Sequence, residues 1–554
     1  MKSIMANKQK KHSIQLLCIF LLSVVLIGCG KDDIFYVTNT TTDDVDNIDF
    51  DRSITVVYST SAEAVVTGAT SDFTVNINGN DVTIINAGSD VVKYELSGTT
   101  TNGCFKLYST SVQAIELNGV SITHSNGAAI NIQGSTTTPS SGRRTYIITK
   151  TASNLADGNA YTETPSGEKE KACLFSEGAL VFSGNALLTI NATGNAGIVS
   201  DDYVHFYTGS AIKLTSSAGH GVRGKDYILV TDGTIDVTVS ANTKKGFSSD
   251  SLVCFNGGNT TIAVTGSAAY DSEDGEDKGT AGIKADKDFV MTAGTLTITN
   301  SGSGGKGISG DRTGTFSGGT VSVTTTGANY GSGNNSISAK AIKFDGNLTL
   351  SGTNITAKCN AHEAIEAKGT ITITSGIIYS YSAQDDAINS GSTFTINGGY
   401  VYAHSAKNDG LDANGDFYLQ GGVIYAIGAS SPELAIDALE ICTLFVQGGT
   451  IIAIGGLEQG ASLEQTCYQA TSWTQNIYYA LTVGSTTYAF KTPASGGTPL
   501  VVSGASTPTL TSGVTISGGT SYFVGVAAQN QSCTPNTQTD ATASNQFTTT
   551  CPTA

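Results

Sequence analysis

Proline and methionine are scarce, at 8 and 3 of 554 residues, and no long amphipathic helical pattern follows the N-terminal segment. That argues against folds built on helices. There is no CxxC pair and no His/Cys zinc spacing, and the six histidines are scattered. No nucleophile–base arrangement and no phosphate-binding loop can be picked out either. Basic charge is also short: 29 Lys and Arg stand against 46 Asp and Glu, a formal net charge of −17. An acidic chain does not bind nucleic acid through a general electrostatic field, whereas divalent cations and simple solubility both suit it. No second apolar run reaches membrane length, so the chain beyond the first is expected to be soluble.

What is abundant is glycine, 66 residues, together with Thr, Ser, Val and Ile. Thr, Val and Ile suit pleated strands and Gly suits tight corners. At the N-terminus, Lys2, Lys8, Lys10 and Lys11 precede an apolar stretch from Ile14 to Ile27, which ends in Leu26-Ile27-Gly28-Cys29. The layout is that of a signal peptide, and the run is shorter than the ~20 residues of a spanning helix. It matches a lipobox, with cleavage after residue 28 and lipidation of Cys29. The following Gly30-Lys31-Asp32-Asp33 resembles an acidic export signal for the outer surface of Gram-negative cells. Residues 29–50 are expected to form a flexible tether. Loss of four lysines with the leader makes the remainder still more acidic. Of the later cysteines, several sit in apolar strand contexts, as in Leu252-Val253-Cys254-Phe255, and are expected to be small buried residues. Cys533 and Cys551 either pair in an oxidising compartment or stay free.

A short unit of a small or charged residue, then Gly or Ala, then an aliphatic or aromatic residue, recurs through the middle of the chain. It occurs around Gly197, Gly221, Gly246, Gly282, Gly307, Ala341, Ala364, Ala387, Gly410 and Ala435, at steps of 24, 25, 36, 25, 34, 23, 23, 23 and 25. The two long steps contain insertions near Asp271–Asp277 and Asn329–Ser336. Strand-like runs such as Gly318-Gly319-Thr320-Val321-Ser322-Val323 lie between the units. A near-fixed period in the low twenties predicts a β-solenoid, since one unit cannot bury its apolar face alone. Propeller repeats run to ~40 residues or more, and a leucine-rich horseshoe needs a Leu-x-x-Leu-x-Leu pattern that is missing.

Residues Val91–Gly98, Ala114–Ile122, Ala128–Ile132, Asn154–Gly158 and Gly282–Asp286, in that order, resemble a bacterial carbohydrate-binding β-helix family related in fold to family-nine polysaccharide lyases. The resemblance spans roughly 53–455. It implies an all-β, right-handed parallel β-helix, with coils of about 23–25 residues, over 51–455. It further implies binding of polysaccharide, including acidic pectin-like chains, with calcium. Residues 456–554 fall outside the repeat and are expected to form a small β-rich cap or domain.

Two constellations carry chemistry. The first is acidic: Asp385, Asp386 and Asn389 share a corner with Asn408, Asp409 and Asp412 one coil on. Asp437 and Glu440 follow, and Glu363 and Glu366 precede. Calcium takes six to eight oxygens at about 2.3–2.6 Å, and carboxylates stacked this closely otherwise repel. The alternative is that these residues only form turns. In the related lyases calcium sits between an aspartate and an Asp-Asp-x-x-Asp cluster, which Asp385, Asn408, Asp409 and Asp412 match with one Asn replacing Asp. The metal set is therefore Asp385, Asp386, Asn408, Asp409, Asp412 and Asp437. Those lyases also use a downstream lysine as base. Here the only lysine beyond Asp412 is Lys491, and Lys407 is not in the matching place. That departure favours a binder over an enzyme.

The second constellation is aromatic. Alternation along 376–382, 399–405 and 422–428 puts Ile378, Val401 and Ile424 inward. It puts Tyr379, Tyr402 and Tyr425 in one outward column, Tyr381 and His404 in a second, and Tyr400 in a third. Such rings suit sugar faces, while stacking within the sheet or coverage by the C-terminal segment is the alternative. The expected protein is a monomeric, lipid-anchored, outer-membrane surface protein that binds polysaccharide with calcium support and no nucleic acid. A calcium-dependent lyase and a structural or adhesive protein are the alternatives.

Overall fold

The computed structural model describes residues 43–134, 143–162, 168–272, 274–333, 336–516 and 521–522, with strand segments at 532–535, 538–539 and 549–550. All belong to the compact unit Asn39–Ala554. The leader, Cys29, Cys551 and the Cys533 side chain lie outside the described residues, as does most of the expected tether.

Among the described residues the fold is all-β, with large parallel sheets and one short 3-10 turn at Val45–Asn47. Each coil supplies three strands, seen clearly in Ile365–Ala367, Ile371–Ile373 and Gly376–Ser382. The first joins a 15-stranded sheet, called here the narrow sheet. The other two join a 31-stranded sheet, called here the broad sheet. Corresponding strands of successive coils pair in parallel, as in Ile365↔Ile388↔Leu411↔Ile436 and Ile378↔Val401↔Ile424↔Ile451. Residues one repeat apart in sequence are therefore neighbours in space, the property on which the sequence argument depended.

The alternation of each strand explains this stacking. In Thr234–Val239, Ile235, Val237 and Val239 are buried while Thr234, Asp236 and Thr238 are exposed. The inward residues form one continuous core from Ile54 to Val501. Like stacks on like: Phe394 and Phe417 lie 4.4 Å apart at 7°, and Phe182 and Phe206 at 5.1 Å. Corners need glycine where the next coil passes close. Gly376 has φ 108°, and a Cβ there would meet the Thr353 carbonyl oxygen at 2.3 Å, so two constraints exclude any other residue.

Both long repeat steps are insertions. Ala269–Asp271 and Glu276–Lys278 form an antiparallel hairpin, and Tyr330 bridges Ile337 across the other. The two meet where the Tyr330 hydroxyl donates to Asp277 at 3.3 Å. At the start of the ladder, residues 43–50 are not a free tether. Asp43 is buried and accepts hydrogen bonds from Arg144 at 2.8 Å and Tyr203 at 2.9 Å, and pairs with His205 at 2.8 Å. Val45, Ile48 and Phe50 pack beside Tyr146 and Val181. At the other end the pairing turns antiparallel. Leu500–Ser503 pairs with Thr450–Ile454 and with Cys467–Ala470, and Tyr478–Val483 lies in a separate four-stranded antiparallel sheet.

Candidate functional site

The structure corrects the expectation of an open tyrosine platform. The register does stack Tyr379, Tyr402 and Tyr425 in one column, with rings of the first two 4.8 Å apart at 2°. They point away from the coil interior, yet they are at most 2% exposed. The C-terminal segment covers them: Tyr479, Leu481, Phe490, Leu500, Val502 and Leu510 share their cluster. The Tyr425 hydroxyl donates to the Lys491 carbonyl at 2.9 Å. Tyr400 stacks on Tyr522 at 3.6 Å, and its hydroxyl donates to that of Tyr522. His404 is 8% exposed beside half-buried Tyr381, and burial pushes its pKa down to about 4. None of Tyr379, Tyr402, Tyr425 or His404 is free to meet a sugar, and Tyr381 and Tyr400 are partners in the same packing. The cue in the sequence was the loss of alternation: Val423–Ile427 and Thr450–Ile454 are buried on both faces.

The outer surface of the narrow sheet remains. One outward column there runs Arg223, Ser248, Lys284, Ser309, Lys343, Glu366, Asn389, Asp412 and Asp437. The sign of charge changes once along it, between Lys343 and Glu366. A flanking column carries Lys245, Lys306 and Lys340 before the change, and Glu363, Asp386 and Asp409 after it. On the basic side Lys245, Lys284, Lys306 and Lys343 line a cleft of about 280 Å³. Burial and then neighbouring lysines push Lys245 and Lys306 down to about 8.

The acidic side divides the predicted metal set in two. Asp385 stands with His362 at 2.8 Å and accepts from the Asn408 amide at 2.8 Å. His362 also contacts Glu363, which pairs with Lys340 at 3.0 Å. This group is internally neutralised. Burial alone would lower His362 and raise Asp385, but their mutual hydrogen bond lifts the imidazole to about 9 and draws the carboxyl below its ordinary range.

The second group is not neutralised. Asp409, Asp412 and Asp437 bring carboxylate oxygens within 4.8 Å of one another. Asp386 adjoins them through the Asp409 amide, which donates to it at 3.1 Å, and Asn389 bridges Asp386 and Asp412 at 2.9 and 2.8 Å. Burial and then mutual repulsion push Asp412 up to about 8. Burial chiefly raises Asp386 and Asp409 to about 7. Asp437 rises too, from burial and from Glu458, a neighbour that sequence spacing did not suggest because it lies beyond the last repeat. So Asp409, Asp412 and Asp437 form a hard-oxygen set of the kind calcium takes, with Asp386 beside them and Asp385 and Asn408 in the neutralised group.

A third group escaped the sequence reading. Asp81, Cys104 and His124 place one donor atom each within 4.8 Å of one another. Their spacings, 23 and 20, are about one coil each, so the repeat itself held the clue that a search for local zinc spacing missed.

Comparison with known proteins bears on the first half of the ladder. Residues 78–250 match a family described as carbohydrate-binding domain-containing protein. Among solved structures, a polysaccharide lyase-like protein from C. thermocellum, determined as a gadolinium derivative, is similar at 20% identity and a TM-score of 0.34. The match covers 55% of this chain and 96% of that one. No curated protein matches the chain.

Proposed function

We propose that this chain is a monomeric, surface-exposed lipoprotein, anchored in the outer membrane through Cys29, that binds polysaccharide without cleaving it. Its ladder is taken as a right-handed β-helix, the hand that parallel crossover connections favour. The observation that carries the carbohydrate reading is the family match of residues 78–250, which build the coils leading into the basic cleft. With the tyrosine face covered, the ligand surface is the narrow sheet. Arg223, Lys284 and Lys343 recur there on alternate coils, paired with Asp250, Asp311 and Asp345, and an acidic, pectin-like chain would take the place of those carboxylates. Calcium is assigned to Asp409, Asp412 and Asp437, where crowded, part-buried carboxylates call for a cation. The test is retention of the mature protein on a glycan array that includes polygalacturonate, with and without chelator. Calcium-dependent retention on acidic glycans is expected. Absence of retention on every glycan would leave the structural or adhesive alternative.

One observation favours a lyase as second reading: the depressed Lys245 and Lys306 are amines suited to accept a proton near neutral pH. Incubation with polygalacturonate and calcium then yields unsaturated, ultraviolet-absorbing ends. A flat absorbance across pH and substrates removes that reading.

A further inference from the structure

We propose that Asp81, Cys104 and His124 form a binding site for a borderline transition-metal dication, zinc above all, at the N-terminal end of the ladder. The three donors are a carboxylate, a thiol and an imidazole, the combination that zinc takes in preference to the oxygen-only shell of calcium. They come from three different strands. Asp81 and Cys104 are register partners in the narrow sheet, and His124 ends the strand Ser121–His124.

The imidazole is set for the role. Its Nδ1 lies 3.0 Å from the Ala128 carbonyl oxygen, which can only accept, so Nδ1 carries the proton and Nε2 faces the cluster. Nε2 is 3.9 Å from Asp81 Oδ1. Metal–ligand bonds of about 2.0–2.3 Å in a tetrahedron place donors roughly 3.3–3.8 Å apart, so closure on an ion contracts a trio whose donors lie within 4.8 Å of one another. The support extends outward. The Ala128 amide donates to Glu170 at 3.2 Å, and Glu170 is held by Asn131 at 2.5 Å and Lys106 at 3.6 Å. The Tyr58 hydroxyl donates to the Cys104 carbonyl at 3.0 Å. The cluster opens on a cavity of about 350 Å³ bordered by Asn76, Asn78, Thr83 and Tyr108, which leaves a fourth position for water or a ligand. Without an ion, burial and then the charges of Asp81 and Glu170 hold the Cys104 thiol protonated. A dication in the site reverses that balance, so binding releases a proton.

This site is independent of the glycan reading. The mature chain is titrated with Co²⁺ as a spectroscopic stand-in and with Zn²⁺ by calorimetry. One ion per chain is expected, with thiolate-to-cobalt charge transfer that Zn²⁺ displaces, calcium does not, and Cys104→Ala abolishes. Asp412→Asn retains it. Because a Cys104 variant can misfold, the wild-type chain is also alkylated and mapped by mass spectrometry. Zn²⁺ should slow modification of Cys104 at least tenfold and leave Cys442, the other partly exposed described cysteine, unchanged. Absence of thiolate charge transfer, or equal protection of both cysteines, overturns the proposal and leaves Asp81, Cys104 and His124 as neighbours in the cavity wall.

Discussion

The two faces of this ladder obey one rule and meet different surroundings. Outward residues of the narrow sheet are Ser, Lys, Arg, Glu, Asn and Asp, part-buried among one another and lining a cleft that solvent reaches. Outward residues of the last coils of the broad sheet are Tyr, Ile and Val, and that face is roofed by the C-terminal strands. Inside, the two are alike: Ile365, Ile371 and Ile378 fill one coil from its three strands. What an outward column is made of therefore reports what it touches. Here, aromatic residues on a strand whose other face is already buried mark packing by another segment of the chain and not a ligand platform.

The largest effect expected from testing this contrast is at the roofed face. Tyr402→Ala removes a buried ring between Tyr379 and Tyr425 and should cost about 3–5 kcal/mol in denaturant unfolding. Glycan retention by the folded fraction should be unchanged. A loss under 1 kcal/mol would mean that the roof does not seat there.

Next comes acid. His404 is neutral in the fold, with a pKa of about 4 against 6.5 unfolded. The unfolded chain therefore takes up the proton first, and stability present above pH 6.5 is lost as pH falls toward 4. Linkage gives roughly 3 kcal/mol over that window, and His404→Gln should flatten this part of the stability–pH curve.

The charged face should respond more gently. Asp412→Asn removes one of several crowded carboxylates, so without calcium it should stabilise by ~1 kcal/mol, while the rise in Tm on adding calcium shrinks or disappears. A full calcium response in the variant would remove Asp412 from the site. The smallest effect is expected at Thr299→Ala, an exposed residue on an unroofed part of the broad sheet, within about 0.5 kcal/mol. A larger loss there would mean that this part of the face is also covered.

Much of this was legible in the sequence. The repeat around Gly282, Ala364 and Ala387 announced coils, and its two long steps announced the insertions at Tyr270 and Tyr330. The stacking of Asp409 on Asp386 followed from the same period. The division of the acidic corner did not, because it turns on His362 reaching Asp385 and Glu363 and on Lys340 reaching Glu363 and Glu366. Nor did the metal-ligand trio, whose members look unrelated until their spacing is measured in coils.

Sequence alone determined which residues face inward and which become neighbours along the ladder, because strand alternation and a near-constant coil length are local properties. Only the tertiary structure decided which outward face stays in water. That depends on where residues Cys467–Leu510, with no repeat of their own, find an apolar surface to cover, and the tyrosine column offered it.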